Sequence, residues 1–137
     1  MSSSSTIRQN LQTAIDLKQA LLGSETTLSL IADMVEVIVG CYRKGGKVFF
    51  CGNGGSAADA QHLAAELSGR YYYDRPPLFA EALHVNTSYI TAVANDYSFD
   101  DIYARWLTAM GKQGDVLIAL STSGHAPNVV KARAQGN

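Results

Sequence analysis

The segment Gly52-Asn53-Gly54-Gly55-Ser56 places three glycines in four residues directly after an apolar run. Glycine lets backbone N–H groups come close to a ligand, and a helix starting just after such a loop turns its N-terminus towards an anion. The Ser56 hydroxyl adds a donor. This combination reads as a phosphate cradle. With Ala57 the loop also fits G-x-G-x-x-A, a dinucleotide fingerprint. That fingerprint wants an acid at the end of the next strand, about 20 residues or more downstream, to hold the ribose. The sequence offers His84-Val85-Asn86 there instead. A tight turn without a ligand is the remaining alternative.

A second loop, Ser121-Thr122-Ser123-Gly124, also leaves an apolar run ahead of a helical segment. Three consecutive hydroxyl residues are poor helix and strand formers, yet they are good donors to phosphate oxygens. Ordinary N-capping is the competing reading, but it needs only one of them. Downstream of the first loop, His62 and Glu66 lie four residues apart, so both project from one helix face. A carboxylate so placed could move a proton between adjacent carbons, and the histidine could bind a metal with it. Spacing alone assigns neither role, and a solvated surface pair is the plain alternative.

The elements that must position these residues follow from the apolar pattern. Ile7, Leu11, Ala14, Ile15, Leu21 and Leu22 have helical spacing, with Ser2–Ser5 expected as a frayed tail and Gly23 as the stop. Ser24 can cap a second helix that runs to about Lys44, where Gly45-Gly46 ends it. Residues 47–51 are a short continuous apolar run, as expected of a strand buried on both faces of a parallel sheet. Residues 57–67 read as a helix, 69–77 as an irregular aromatic and proline segment, and 78–85 as a second strand. A short helix over 87–94, a turn over 95–100, a helix over 102–110, a buried strand over 115–120 and a helix over 126–135 complete the chain. Strand, loop and helix alternate, which predicts a layered α/β fold with a mostly parallel sheet. Ligands in such folds sit at the carboxyl ends of strands. Loops at Gly52–Ser56, Asn95-Asp96 and Ser121–Gly124 are placed there by this reading.

Composition narrows the function classes. The 137 residues are 47% hydrophobic and 17% charged, with a formal net charge of −1, as in an ordinary soluble globular domain. Nucleic acid is not an expected partner, since no basic clustering is present to displace counterions. No apolar stretch approaches the ~20 residues that span a bilayer, so no membrane partner is expected. Cys41 and Cys51 give neither a disulfide framework nor metal spacing, which suits a cytoplasmic protein.

Taken together, three stretches resemble one family. They are Cys51 to His62 with Ala65 to Tyr71 after it, Ala94 to Phe99, and Gly114 to Gly124. In order and spacing they resemble the bacterial phosphoheptose isomerases of the sugar isomerase (SIS) domain superfamily, from about residue 7 to the end. The resemblance implies one SIS-type domain over 1–137, a three-layer α-β-α sandwich with a mostly parallel central sheet. Two N-terminal helices over 7–45 would precede the core at 46–137. It implies conversion of D-sedoheptulose 7-phosphate to D-glycero-D-manno-heptose 7-phosphate through an enediol, a step towards lipopolysaccharide heptose. Glu66 would be the catalytic base, and His62 with Glu66 part of a zinc site. Asn53, Gly54, Gly55, Ser56, Glu66, Arg70, Asn95, Asp96, Ser121, Thr122 and Ser123 match positions that bind the sugar phosphate. A homotetramer with sites shared between subunits is also implied.

Two departures bear on this expectation. The family usually carries a small hydroxyl residue where this chain has Ala126, so one phosphate donor is missing. Family members also continue for several tens of residues beyond the position of Asn137, with further strands and a helix. That helix brings a glutamine and a histidine that complete the metal site, so the zinc site of this chain is expected to be incomplete. Two alternatives to an active isomerase follow: a non-catalytic SIS protein of the replication-initiator-associating type, and an inactive truncated isomerase. The first lacks a carboxylate at the position of Glu66, which this chain keeps. Elsewhere, Tyr71, Tyr72 and Tyr73 read as a connector at a subunit interface, His84 as a satisfied core or rim histidine, and Trp106 as core. Nothing basic beside Cys51 argues for a thiolate.

Overall fold

The computed structural model describes residues 2–135. It divides into two compact units, Met1–Val37 and Ile38–Asn137. In the first, helix α1 spans Ser3–Leu22 and helix α2 begins at Glu25, continuing to Arg43 in the second unit. The start of α1 lies four residues before the expected Ile7. Ser2 explains this, because its side chain accepts from Ser5 N–H and caps the helix. Ser24 caps α2 as expected, accepting from Thr27 N–H at 3.3 Å. No residue of α1 is buried, and Ile7, Leu11, Leu17 and Leu22 are each at least 60% exposed.

The second unit is built on a three-stranded parallel sheet in the order β2-β1-β3, with β1 at Val48–Cys51, β2 at Ala80–Ala82 and β3 at Val116–Ala119. All four residues of the central strand β1 are buried, and their alternation creates two cores. Phe49 and Cys51 face one way, into a cluster with Leu83, Val93, Ile102, Tyr103, Val129 and Ala132. Val48 and Phe50 face the other way, into a cluster with Cys41, Ala60, Ala64, Ala80 and Ala82. The first cluster packs helices α4 (Thr87–Asp96), α5 (Ile102–Met110) and α6 (Pro127–Ala134); the second packs α3 (Gly55–Ser68) and the end of α2. This is the expected α-β-α sandwich. Trp106 joins the first cluster, edge-on to Phe49 at 5.4 Å, as its expected core role requires.

Several boundaries differ from the sequence reading for local physical reasons. Strand β2 is three residues long rather than eight. Pro76 and Pro77, which lack N–H groups, precede it, and Val85 N–H turns back to the Ala82 carbonyl. Strand β3 is half-buried rather than fully buried, because among the described residues it lies at the edge of the sheet and pairs only with β1. Helix α4 continues through Asn95 and Asp96, which were expected in a turn; the chain leaves it at Tyr97, whose N–H still bonds the Val93 carbonyl. At the opposite end of the sheet, Asp115 ties two loops together by accepting from Lys47 N–H and Lys112 N–H, both at 2.9 Å. Gly46 is required there, since a Cβ would lie 2.7 Å from Cys41 Sγ and 2.9 Å from the Gly114 carbonyl oxygen.

Candidate sugar-phosphate site

The chain leaves β1 through Gly52 and turns into α3 within three residues. A Cβ on Gly52 would stand 2.7 Å from the Ser56 carbonyl oxygen, so only glycine allows this return. Gly54 has φ +55° and ψ −122°, a conformation that L side chains rarely adopt. Helix α3 begins at Gly55, so Gly55 and Ser56 form its first turn rather than the loop. Ser56 N–H bonds the Asn53 carbonyl at 3.0 Å, and Ala57 and Ala58 N–H share that of Gly54. Among the described residues the N–H groups of Gly54 and Gly55 find no acceptor, so both stay available to an anion at a helix start.

The second loop follows β3. Its hydroxyls shape it: Ser121 Oγ accepts from Gly124 N–H at 3.1 Å, and Ser123 Oγ from His125 N–H at 3.2 Å. Each hydroxyl accepts through a lone pair and keeps its proton to donate. The N-capping alternative does not hold, because α6 starts only at Pro127 and its cap residue is Ala126, which makes no side-chain bond. Ala126→Ser is therefore expected to stabilise the protein by about 1 kcal/mol through capping. It should also tighten phosphate binding, checked by thermal melting and by titration calorimetry.

The two loops meet. A cavity of about 140 Å³ is lined by Asn53, Ser56, Leu120, Ser121, Thr122, Ser123 and Ala126. A larger groove of about 380 Å³ beside β2 is wide open; of its lining residues Ser68, Pro77, Leu78, Phe79, Ala80 and Glu81, only Glu81 is ionisable. The smaller cavity has the convergent donors, and it is the candidate site.

The remaining expected site residues lie elsewhere. His62 and Glu66 sit on α3 with Nε2 and Oε1 3.7 Å apart, the histidine 73% and the glutamate 33% exposed. Arg75 holds the backbone there, donating to the Glu66 carbonyl at 3.0 Å. Arg70 is exposed, two residues after α3. Asn95 donates to Asp96 at 2.9 Å in the last turn of α4. Gly54 and Gly55 adjoin the cavity through Asn53 and Ser56 without lining it, and neither His62, Glu66, Arg70, Asn95 nor Asp96 lines it. As to zinc, a catalytic site needs three protein ligands. The described residues contain no group of three such side chains, so His62 and Glu66 alone do not fit the metal.

Two residues that the sequence reading missed hold the first loop. Asn128, 1% exposed, forms a reciprocal amide pair with Asn53, each Nδ2 donating to the other's Oδ1 at 2.9 Å. Buried Tyr103 donates its hydroxyl to the Gly52 carbonyl. Burial, with Cys51 nearby, pushes the Tyr103 phenol up to about 12, so it stays a protonated donor. A polar residue beside Val129 and Ala132 was the available signal for Asn128; Tyr103 merely continued an apolar stripe. Burial also pushes the Cys51 thiol up to about 11, in accord with an inert residue.

His84 differs from expectation, for its Nδ1 is buried with no hydrogen-bond partner. Burial holds its imidazole below the ordinary 6.5. The unfolded chain then takes up the proton first, so this contribution to stability is complete above about pH 6.5 and declines as pH falls below it. Melting curves between about pH 7.5 and 5 should show that decline, and His84→Gln should flatten it.

A parallel sheet between two helical layers, with a glycine loop and a hydroxyl loop at adjacent strand ends, defines a layered α/β domain. The sequence profile of the SIS domain family matches residues 12–137, and the chain belongs to that family. It is 62% identical over 102 residues to the phosphoheptose isomerase of Rhodospirillum rubrum, covering 74% of this chain and 54% of that protein. To the phosphoheptose isomerase of Shewanella piezotolerans it is 52% identical over 124 residues, covering 90% and 60%. The solved phosphoheptose isomerase of Neisseria gonorrhoeae superposes with a TM-score of 0.89 at 36% identity, covering 98% of this chain and 68% of that one. That of Francisella tularensis superposes at 0.92 with 35% identity, covering 98% and 70%. The chain thus spans 54% to 60% of the length of these two curated relatives.

Proposed function

We propose that this chain belongs to a ketose–aldose isomerase that converts D-sedoheptulose 7-phosphate to D-glycero-D-manno-heptose 7-phosphate, in lipopolysaccharide heptose synthesis. The observation that carries the reading is the cavity where the glycine loop and the Ser121–Ser123 loop converge. Backbone N–H groups of Gly54 and Gly55 and the hydroxyls of Ser56, Ser121, Thr122 and Ser123 would hold the phosphate. In the reaction a proton leaves C1 of the ketose, an enediol forms, and a proton is delivered to C2 while the carbonyl moves to C1. Glu66 is the proposed base for the first transfer, with Arg70, Asn95 and Asp96 as proposed contacts to the sugar.

Ten residues separate Ser56 from Glu66, about 15 Å of helix rise. The sugar phosphate, its contacts at both ends and the reach of the Glu66 side chain together would have to bridge that rise, and sites shared between copies are part of the proposal. The apolar side chains exposed along α1 support a homotetramer. Light scattering on the purified protein should give four copies, and a monomer at micromolar concentration would contradict it. Zinc remains a proposal in which His62 and Glu66 supply two ligands and groups outside the described residues the rest. No step here runs through it. Among the described residues no helix is long and apolar enough to cross a membrane, and a cytoplasmic location is proposed.

The test is deuterium exchange at C1 of sedoheptulose 7-phosphate in heavy water. Exchange above the uncatalysed background supports the reading. Binding of the sugar phosphate without any exchange favours the non-catalytic alternative.

A further inference from the structure

We propose that Asn128 and Tyr103 are positioning residues that lock the Gly52–Gly55 loop to α5 and α6, so that both walls of the anion cavity are held as one body. The proposal rests on the sugar-phosphate reading above. The Asn53–Asn128 pair joins residues 75 apart in sequence through two hydrogen bonds. Asn128 Oδ1 also accepts from Val129 N–H at 2.9 Å, which registers the pair against the first turn of α6. Tyr103 grips the preceding residue from α5 through the Gly52 carbonyl. Helix α6 in turn follows directly on the Ser121–Gly124 loop, and Asn53 and Ala126 line the same cavity.

An amide at 1% exposure is costly to bury unless its hydrogen bonds are met, and a leucine would fill such a site without that requirement. Its bonds are met here by the loop itself. The pairing also redefines Asn53. Its Oδ1 and one N–H of its Nδ2 are engaged inside the protein, so at most one side-chain donor is left for a ligand. Asn53 therefore serves the cavity chiefly by carrying the loop, and Asn128 fixes where the loop stands.

The loop contains its own reporters, because Ser56 N–H and Ala57 N–H bond the carbonyls of Asn53 and Gly54. Amide hydrogen exchange should be compared between wild type, Asn128→Ala, Tyr103→Phe and Val129→Ala. The last removes buried packing from α6 without touching the loop's hydrogen bonds. Exchange at Ser56 and Ala57 is expected to rise about tenfold in the first two variants, relative to the rest of α3, and not in the third. The Kd for sedoheptulose 7-phosphate should rise about tenfold in the same two variants, while kcat changes much less.

Loop amides that exchange no faster than in Val129→Ala would overturn the proposal. So would accelerated exchange with unchanged affinity. If Asn128→Ala does not fold, Tyr103→Phe keeps its ring in the core and decides the matter. Exchange is read without ligand, so a wild type that binds no sugar phosphate sinks the functional reading while the lock is still judged by its own data.

Discussion

Changing Glu66 to glutamine is expected to lower isomerisation by about 10²–10⁴-fold, the usual worth of a positioned general base. Glutamine keeps the shape of the side chain and loses its negative charge and its ability to take a proton. KM should change little, because Glu66 lies outside the cavity proposed to hold the phosphate. Stability should stay within about 0.5 kcal/mol, since the His62 contact is long and largely exposed and such pairs contribute little. The same variant should lose deuterium exchange at C1 in proportion. Full exchange in Glu66→Gln would remove Glu66 from the mechanism and leave the binding site untouched.

Gly52→Ala carries the second large effect, and it acts on binding rather than on proton transfer. The new Cβ would lie 2.7 to 2.8 Å from the backbone and Cβ of Ser56, so the first turn of α3 must move away from β1. Forced contacts of this kind cost about 1–3 kcal/mol. The displaced amides are those of the proposed phosphate cradle, so affinity for the sugar phosphate should fall by more than the melting temperature alone suggests. Gly40→Ala is the matched control. Its Cβ meets nothing within 4 Å on α2, and the protein should become more stable by about 0.5–1 kcal/mol with unchanged affinity. Equal loss of affinity in both variants would contradict a local effect at Gly52.

Much of this site was legible because its signals are local. The apolar run through Phe49 and Phe50, the glycines after it and the switch to helical spacing specify strand, loop and helix within a dozen residues. The Ser-Thr-Ser run is equally self-contained. What pattern could not show is long-range pairing. Nothing around Asn128 announces that its partner is Asn53, and Tyr103 looks like any aromatic on a buried stripe until its hydroxyl meets Gly52. Nor does the sequence show that the described sheet ends at β3, whose apolar residues promised full burial. Asn95 and Asp96 were misplaced because Tyr97 and Ser98, which end α4 and start the next turn, carry no strong stop signal. His84 keeps an unmet nitrogen that spacing gives no means to detect.

The central claim is that the glycine loop and the hydroxyl loop form one sugar-phosphate cavity. Its most direct test is titration of the ¹⁵N-labelled protein with sedoheptulose 7-phosphate, following every backbone amide by NMR. Saturable shifts are expected at Gly52, Gly54, Gly55, Ser56 and Ser121–Gly124 together, and they should be absent with the sugar lacking its phosphate. Shifts confined to Ser68 and residues 78–81 of the open groove, or equal shifts with the unphosphorylated sugar, would contradict it.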